Sequence, residues 1–296
     1  MGVSPFSYIK LYNFIPYSKN CGKIKLTTKK IICEKIKKGA TMPVYNIVFS
    51  PTGGTKKIAD LFATSFYPET NYIDLTNCNK DFSFFSFCAE DICIVSVPSY
   101  GGRVPAIAIS RLRQMNGNGA KTILIVVYGN RAYEDTFTEL QDTLTNLGFS
   151  CIAAVAAIAE HSIMRQFAAG RPNIQDEKEI AAFAETIRSK IESGTLSNQL
   201  NLPGNRPYRK YNGIPTKPQT GKSCTQCGLC AKKCPVGAID PTNPSKTDTQ
   251  CCISCMRCIA ICPQKARHIN KALLAAGSIK LKKVCSEYKR NELFLS

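Results

Sequence analysis

Eight cysteines recur at fixed spacing in two runs, and a proline follows the last cysteine of each run. The first run is Cys224, Cys227, Cys230 and Cys234, and the second is Cys252, Cys255, Cys258 and Cys262. Three thiolates separated by two residues each can bind one iron–sulfur cubane, and in this pattern the fourth cysteine ligates the cluster of the other run. The spacing therefore predicts two [4Fe–4S] clusters. Cluster one takes Cys224, Cys227, Cys230 and Cys262, and cluster two takes Cys252, Cys255, Cys258 and Cys234.

Zinc is the alternative metal, because two cysteines separated by two residues are also a zinc-binding pattern. The third evenly spaced cysteine and the closing Cys-Pro occur in both runs, however, and tetrahedral zinc sites need neither. Cys251 is left out of the ligand set because only its neighbour Cys252 has the two-residue spacing to Cys255. Residues 223–270 resemble bacterial-type ferredoxins that carry two [4Fe–4S] clusters.

A second pattern lies in three loops that each follow a predicted strand. The first loop is Ser50-Pro51-Thr52-Gly53-Gly54-Thr55, the second begins Pro98-Ser99-Tyr100-Gly101-Gly102, and the third is Tyr128-Gly129-Asn130-Arg131. A helix is predicted directly after the first loop, and hydroxyls and amides at the positive end of a helix suit a phosphate. Because parallel strands bring their carboxyl ends to one edge of a sheet, all three loops are expected there.

Neither of two common nucleotide motifs is complete in this sequence. A Walker loop would need glycine at Thr216, five residues before Gly221, and the glycines Gly117 and Gly119 precede a predicted strand rather than follow one. The three loops resemble instead those of flavodoxins, which bind FMN. The resemblance implies that Ser50, Thr52, Gly53, Gly54 and Thr55 bind the phosphate. It also implies that the other two loops flank the isoalloxazine ring, with Tyr100 stacked on it.

The elements that position these loops alternate between strand and helix. Apolar, β-branched runs at 44–49, 71–75, 91–97, 121–128 and 149–158 alternate with amphipathic stretches at 55–66, 104–115, 133–147 and 174–193. This alternation predicts an α/β domain with a doubly wound, five-stranded parallel sheet, and the resemblance of the loops implies that this sheet is flavodoxin-like. The cysteine-rich segment is predicted to be a small α+β ferredoxin domain. It is too short for a strong apolar core, so its clusters must stabilise it.

Composition divides the chain into five segments. We assign residues 1–41 to a basic arm, 42–194 to the flavodoxin-like FMN-binding domain, 195–222 to a Pro- and Gly-rich linker, 223–270 to the ferredoxin domain and 271–296 to a basic C-terminal tail. The arm carries nine Lys, one Glu and no Arg. Its absence of Arg disfavours an organellar presequence, and we expect either a translation start at Met42 or a poorly ordered basic tail.

Composition also excludes several classes of protein. With 44% hydrophobic and 20% charged residues, the chain is not intrinsically disordered. No apolar run reaches the length of a membrane span. The regular clustering of the cysteines, without a signal peptide, favours metal ligation in a reducing cytoplasm over secreted disulfides. The net charge of +18 is uneven, and no helix-turn-helix, RRM or basic-zipper pattern accompanies it, so nucleic-acid binding is disfavoured.

As a whole, residues 42–270 resemble the fused flavodoxin–ferredoxin proteins of anaerobic microbes. The resemblance implies FMN, two [4Fe–4S] clusters and electron transfer, for which no protein acid or base is needed. Residues 204–270 carry a formal charge of +9, which indicates an acidic redox partner such as a ferredoxin- or flavodoxin-like carrier. A small-molecule acceptor is a further partner. The alternatives are an NAD(P)H-dependent reductase of quinones or nitro compounds and a redox-sensing protein associated with nucleic acid.

Overall fold

The computed structural model describes residues 42–197 and 199–296, so the predictions for residues 1–41 lie outside it. The strands are β1 Val44–Val48, β2 Asn71–Asp74, β3 Ile92–Pro98, β4 Lys121–Tyr128, β5 Ser150–Ile158, β6 Gln219–Thr220, β7 Arg267–His268 and β8 Glu292–Leu295. The helices are α1 Gly54–Phe66, α2 Ala106–Leu112, α3 Thr136–Asn146, α4 Ile174–Glu192, α5 Leu229–Lys232, α6 Arg257–Ala260 and α7 Lys271–Cys285. None of the helices in the described part of the chain is long and apolar enough to cross a membrane.

The main sheet has the strand order β2-β1-β3-β4-β5-β8. Its first five strands pair in parallel, and the order 2-1-3-4-5 is that of flavodoxin-like doubly wound sheets. The three strands β3, β4 and β5 are almost entirely buried, because helices cover both faces of a parallel sheet. The predicted fold class is confirmed, and each predicted strand agrees with the structure to within one residue at either end.

Side chains that alternate along the strands fill two cores, one on each face of the sheet. On one face, Leu124 of β4 belongs to the core that contains Phe137 of α3. On the other face, Ile123 of β4 belongs to the core that contains Phe62 of α1 and Ile180 of α4. The helices thus hold the sheet from both sides and leave its carboxyl edge to the loops.

Residues 271–296 form more than the basic tail that composition predicts. They contain α7, whose Asn270 cap accepts hydrogen bonds from the amides of Ala272 and Leu273, and β8, which pairs antiparallel with β5 as a sixth strand. Phe294 of β8 packs edge-on against Phe137, with ring centroids 5.4 Å apart. The C-terminal segment therefore belongs to the flavodoxin-like sheet.

The segment predicted as a linker lies against α3. Gln141 donates to the carbonyl oxygen of Leu200 at 2.6 Å, and Thr138 donates to that of Pro203 at 3.0 Å. The carboxylate of Asp135 accepts from the amide of Arg209 at 2.6 Å. Specific contacts therefore fix the path of the chain between the sheet and the cysteine-rich segment.

The two cysteine runs fold in the same way. Each contains a one-turn helix, α5 or α6, preceded by a residue of left-handed backbone, Gly228 or Met256. After each closing cysteine, an amide four residues further on donates to its sulfur, from Ala238 to Cys234 Sγ and from Ala266 to Cys262 Sγ, both at 3.3 Å. The sequence repeat is thus also a structural repeat.

Candidate functional site

The eight cysteines surround two cavities, with four cysteines at each. Cavity one is lined by Cys224, Cys227, Cys230 and Cys262, and cavity two by Cys234, Cys252, Cys255 and Cys258. These are the same two groups into which the spacing divides the cysteines. Four thiols around a cavity fit a cluster, whereas a zinc ion would hold all four sulfurs about 2.3 Å from one atom.

The two cavities differ in depth. At cavity one, the Cys227 thiol is exposed to solvent, and the other three cysteines are partly exposed. At cavity two, Cys234 and Cys255 are buried. The neighbouring Cys251 donates its thiol proton to the carbonyl oxygen of Val236 at 3.1 Å. Cavity one therefore faces the outside, and cavity two faces the rest of the protein.

The loop between β1 and α1 presents backbone amides at the positive end of a helix. Gly53 takes left-handed backbone (φ 97°) at the start of α1, and as a glycine in the N-cap position it makes no side-chain hydrogen bond to the first amides of the helix. The hydroxyl of Ser50 accepts from the amide of Lys56 at 2.9 Å, which fixes the shape of the loop. Thr52 and Gly53 are exposed. This geometry is suited to an anion such as a phosphate.

Arg257 joins this loop to cavity two. It lies between Cys255 and Cys258, lines cavity two, and donates from Nη1 to the carbonyl oxygen of Pro51 at 3.0 Å. Its Nε is buried and has no hydrogen-bond partner among the described residues. The cysteine-rich segment is therefore docked on the phosphate-type loop through one of its cluster-lining residues.

The loop after β3 brings Tyr100 near Cys255, one of the cysteines of cavity two. Burial raises the pKa of Tyr100 well above its ordinary value, and Cys255 and Tyr211 are near enough to raise it further. Tyr211 also covers Gly101, since a Cβ on that glycine would lie 2.3 Å from its ring. The sequence did not single out Tyr211, because it lies in a segment that reads only as a linker.

Several predicted flavin contacts have other partners in the structure. The Ser99 hydroxyl lies 2.8 Å from that of Thr136, and a Cβ on Gly102 would overlap the carboxylate of Glu134. Tyr128 is buried, and its ring packs edge-on against Tyr133 at 5.3 Å. Burial raises the pKa of Tyr128 to about 12. The residues Ser99, Gly102 and Tyr128 thus shape the loops through contacts inside the protein.

The loop after β4 contacts the C-terminal segment. Asn130 donates from Nδ2 to the carbonyl oxygens of Cys285 and Glu287 at 2.7 and 2.8 Å, while its Oδ1 is buried without a partner among the described residues. Arg131 forms an ion pair with Glu134 at 2.6 Å. Pro98 ends β3 and Gly129 follows β4, so both lie at the carboxyl edge of the sheet. In the loop after β4, however, the polar side chains of Asn130 and Arg131 make contacts within the protein itself.

His161 stands beside the same loop. A Cβ on Gly129 would lie 2.7 Å from its ring, so only glycine allows this approach. The Nδ1 of His161 accepts from the amides of Ile163 and Met164, both at 3.2 Å, which leaves the proton of the neutral ring on Nε2. Burial, and then the nearby charge of Arg131, lower the pKa of His161. The site thus contains a neutral imidazole.

Comparison with known proteins supports the iron–sulfur assignment. The family described as 4Fe-4S binding domain matches residues 222–240. One component of the ion-translocating oxidoreductase complex of Methanosarcina acetivorans is 48% identical over 44 residues, which are 14% of this chain and 17% of that protein. This chain therefore covers about a sixth of that relative's length. The segment binds an iron–sulfur cluster.

Solved structures similar to this chain include rubredoxin oxygen:oxidoreductase of Desulfovibrio gigas, with 16% identity, a TM-score of 0.38, and coverage of 52% of this chain and 37% of that one. They also include a flavodoxin of Streptococcus pneumoniae TIGR4, with 21% identity, a TM-score of 0.37, and coverage of 50% and 99%. A flavodoxin of Fusobacterium nucleatum bound to flavin mononucleotide has 17% identity, a TM-score of 0.36, and coverage of 50% and 99%. By its own strand order, the protein combines a flavodoxin-like domain with an iron–sulfur segment.

Proposed function

We propose that the protein is an electron-transfer iron–sulfur flavoprotein that binds FMN at the carboxyl edge of the sheet and two [4Fe–4S] clusters in cavities one and two. The observation that supports the proposal is the position of cavity two: its lining residue Arg257 donates to the phosphate-type loop, and its Cys255 is near Tyr100 of the second loop. A cluster held there would stand next to the flavin.

The loops contain groups that fit FMN. The amides of Gly54 and Thr55 and the hydroxyl of Thr52 would hold the phosphate at the start of α1, while Tyr100 and Tyr211 supply aromatic surface beside the second loop. The buried, unpartnered Nε of Arg257 is a further donor close to this loop. FMN would supply a two-electron store that exchanges single electrons with the clusters.

The depth of the two cavities supports one order of transfer. The exposed Cys227 would hold cluster one at the surface, and the buried Cys255 would hold cluster two nearer the flavin loops. Electrons would pass between an external carrier, cluster one, cluster two and FMN. The chain's part in this process is to hold the three groups at fixed positions.

The carrier that fits this surface is an acidic redox protein. Lys232 and Lys233 are exposed on and just after α5, next to Cys230 and Cys234. Positive charge beside cluster one would steer a negatively charged carrier to the exposed cavity. We place the protein in the cytoplasm, where the cysteine ligands stay reduced.

A small-molecule acceptor is the second candidate partner of the flavin. A cavity of about 670 Å³ borders Asn130 of the third loop and is lined by Phe167, Lys282 and Tyr288. This mixture of aromatic and basic side chains would admit a flat, electron-poor molecule. The test is anaerobic reoxidation of the reduced flavin by a quinone, in the wild type and in a variant with alanine at Lys282 and Tyr288. Loss of the reoxidation in the variant would support this candidate, and reoxidation at the wild-type rate would argue against it.

The test of the proposal is anaerobic reconstitution followed by quantitation of iron, sulfide and flavin, with EPR of the reduced protein. We expect about eight iron atoms and one FMN per chain. Cys252→Ala should lose about four of the iron atoms, while the matched control Cys251→Ala should keep all of them. Zinc in place of iron, no bound flavin, or equal iron loss in both variants would contradict the proposal.

A further inference from the structure

Arg267 is a buried cation in the wall of cavity one. It lies in β7, only 3% exposed, and lines the cavity together with the four cysteines of cluster one. Long basic side chains are rarely buried to this degree unless an anion compensates their charge. The partners of this guanidinium therefore indicate whether the cavity has room for an anionic ligand.

The hydrogen bonds of Arg267 satisfy only part of its guanidinium. Nη1 donates to the hydroxyl of Thr247 at 2.6 Å, and Nη2 donates to the carbonyl oxygen of Pro244. Nη2 also lies 3.7 Å from the sulfur of Cys230. Nε is buried and has no partner among the described residues. Its N–H group is thus available to a ligand in the cavity.

The charge of Arg267 is not paired with a carboxylate in the part of the chain that the structure describes. None of the ion pairs found there includes this residue. Neutral oxygens and a thiol orient the guanidinium, but they do not balance a buried charge. An iron–sulfur cluster with four thiolate ligands is anionic, and it would supply both the missing charge and an acceptor for the unpartnered N–H.

We propose that Arg267 is the fixed counter-ion of cluster one and raises the reduction potential of that cluster. The inference rests on the proposed function, because it requires a cluster in cavity one. When cluster one accepts one electron from a reduced carrier, its charge becomes one unit more negative, and no bond is made or broken. A buried positive charge stabilises the reduced cluster more than the oxidised one, since low dielectric strengthens the attraction.

Cavity two is also lined by an arginine whose Nε is buried without a partner among the described residues, but that side chain is less completely buried. Its arginine, Arg257, is only partly buried and donates to the carbonyl oxygen of Pro51. Thr247, which orients Arg267, also lines cavity two, so the charge of Arg267 extends to that cavity as well. Arg267 itself lines only cavity one of the two, so its most direct effect is on cluster one.

The experiment is an anaerobic redox titration of the reconstituted protein, followed by EPR. In Arg267→Gln, the ratio of reduced to oxidised cluster at a given potential should fall about tenfold for the more affected cluster. For a one-electron step, this fall corresponds to a reduction potential about 59 mV more negative. Arg267→Lys should keep the wild-type ratio to within about threefold. Lys246→Gln removes the same charge from an exposed position nearby and should leave the ratio unchanged.

Each outcome of the titration decides the proposal. A potential in Arg267→Gln equal to that of Lys246→Gln would overturn it. Arg267→Gln could lose iron instead of changing its potential. In that case, full iron retention by Arg267→Lys would show that the positive charge is required and would support the proposal. Iron loss in both variants would show that the shape of arginine is what matters and would overturn the proposal. Failure of the proposed function is seen separately, as a wild-type protein that does not hold about eight iron atoms.

Discussion

The Nη1 atom of Arg257 lies 3.0 Å from the carbonyl oxygen of Pro51, across 206 residues of sequence. The first residue belongs to the run of cysteines around cavity two, and the second belongs to the loop that opens α1. The contact fixes the distance between the inner cluster site and the phosphate-type loop. It is the most direct structural reason to treat the two halves of the chain as one redox unit.

Replacing Arg257 should weaken FMN binding and slow electron transfer to the flavin. A hydrogen bond from a charged group contributes about 1.5–3 kcal/mol, and we expect the low end here because the side chain is only partly buried. Arg257→Met should therefore raise the dissociation constant of FMN about tenfold, measured by quenching of flavin fluorescence in the iron-loaded protein. Arg113→Met, at an exposed position after α2, is the control. Equal affinity in the two variants would show that Arg257 serves only to dock the segment.

Gly101 should tolerate a side chain only when Tyr211 is removed. Alanine at Gly101 would be strained by its left-handed backbone (φ 59°) and would also clash with the Tyr211 ring, at a combined cost of about 2–4 kcal/mol in the free energy of unfolding. Gly213→Ala has a similar backbone (φ 80°) but open space, so it measures the strain alone. In a double-mutant cycle by urea unfolding, Tyr211→Ala should recover the clash component of Gly101→Ala. Additive effects of the two changes would contradict the contact.

The C-terminal strand should contribute to the stability of the whole sheet. Phe294 of β8 packs on Phe137 and is partly buried, so Phe294→Ala should lower the free energy of unfolding by about 2 kcal/mol. Phe84→Ala is the matched control, because Phe84 is 65% exposed and should cost little. Urea unfolding, followed through the transition of the flavodoxin-like sheet, would measure the free energy of unfolding of both variants. Equal stability of the two variants would mean that β8 does not hold the edge of β5.

The buried pair of Arg171 and Asp176 predicts a loss of stability in acid. Burial alone would raise the pKa of Asp176, but hydrogen bonds from Arg171, the amide of Asn173 and Asn291 together hold it below its ordinary value. A carboxyl whose pKa is lower in the folded state stabilises the protein above the unfolded pKa of about 3.9, and this contribution is lost as the pH falls below that value.

Asp176→Asn should therefore be less stable than the wild type at pH 7 and should lose less stability between about pH 5 and pH 3. Unfolding by urea at each pH measures the difference between the two proteins. Asp60→Asn, which alters a more exposed ion pair with Lys56, should show the acid dependence of the wild type. A parallel decline of wild type and Asp176→Asn would assign the acid sensitivity to other groups.

The part of the fold that local sequence determines was predictable. Apolar runs located the five parallel strands, and the spacing of cysteines such as Cys224 and Cys227 divided the ligands into two groups, because both depend on neighbours in sequence. The strand β8 has only four residues, so its pairing with β5 depends on contacts across the fold. The positions of Tyr211 and Arg257 likewise follow from tertiary contacts that no local pattern encodes. The side chain of Asn130 departs from its expected role for the same reason, since the C-terminal segment supplies its acceptors.

If the proposed function is correct, electrons reach the flavin through cluster one and then cluster two. Anaerobic stopped-flow absorbance with a reduced acidic ferredoxin as the carrier would follow both steps. We expect the clusters to be reduced first, in a bimolecular step that slows as salt is added. The flavin should then be reduced at a rate independent of the carrier concentration. The contradicting result is flavin reduction at a rate proportional to the carrier concentration, with the same rate in a Cys227→Ala protein depleted of cluster one.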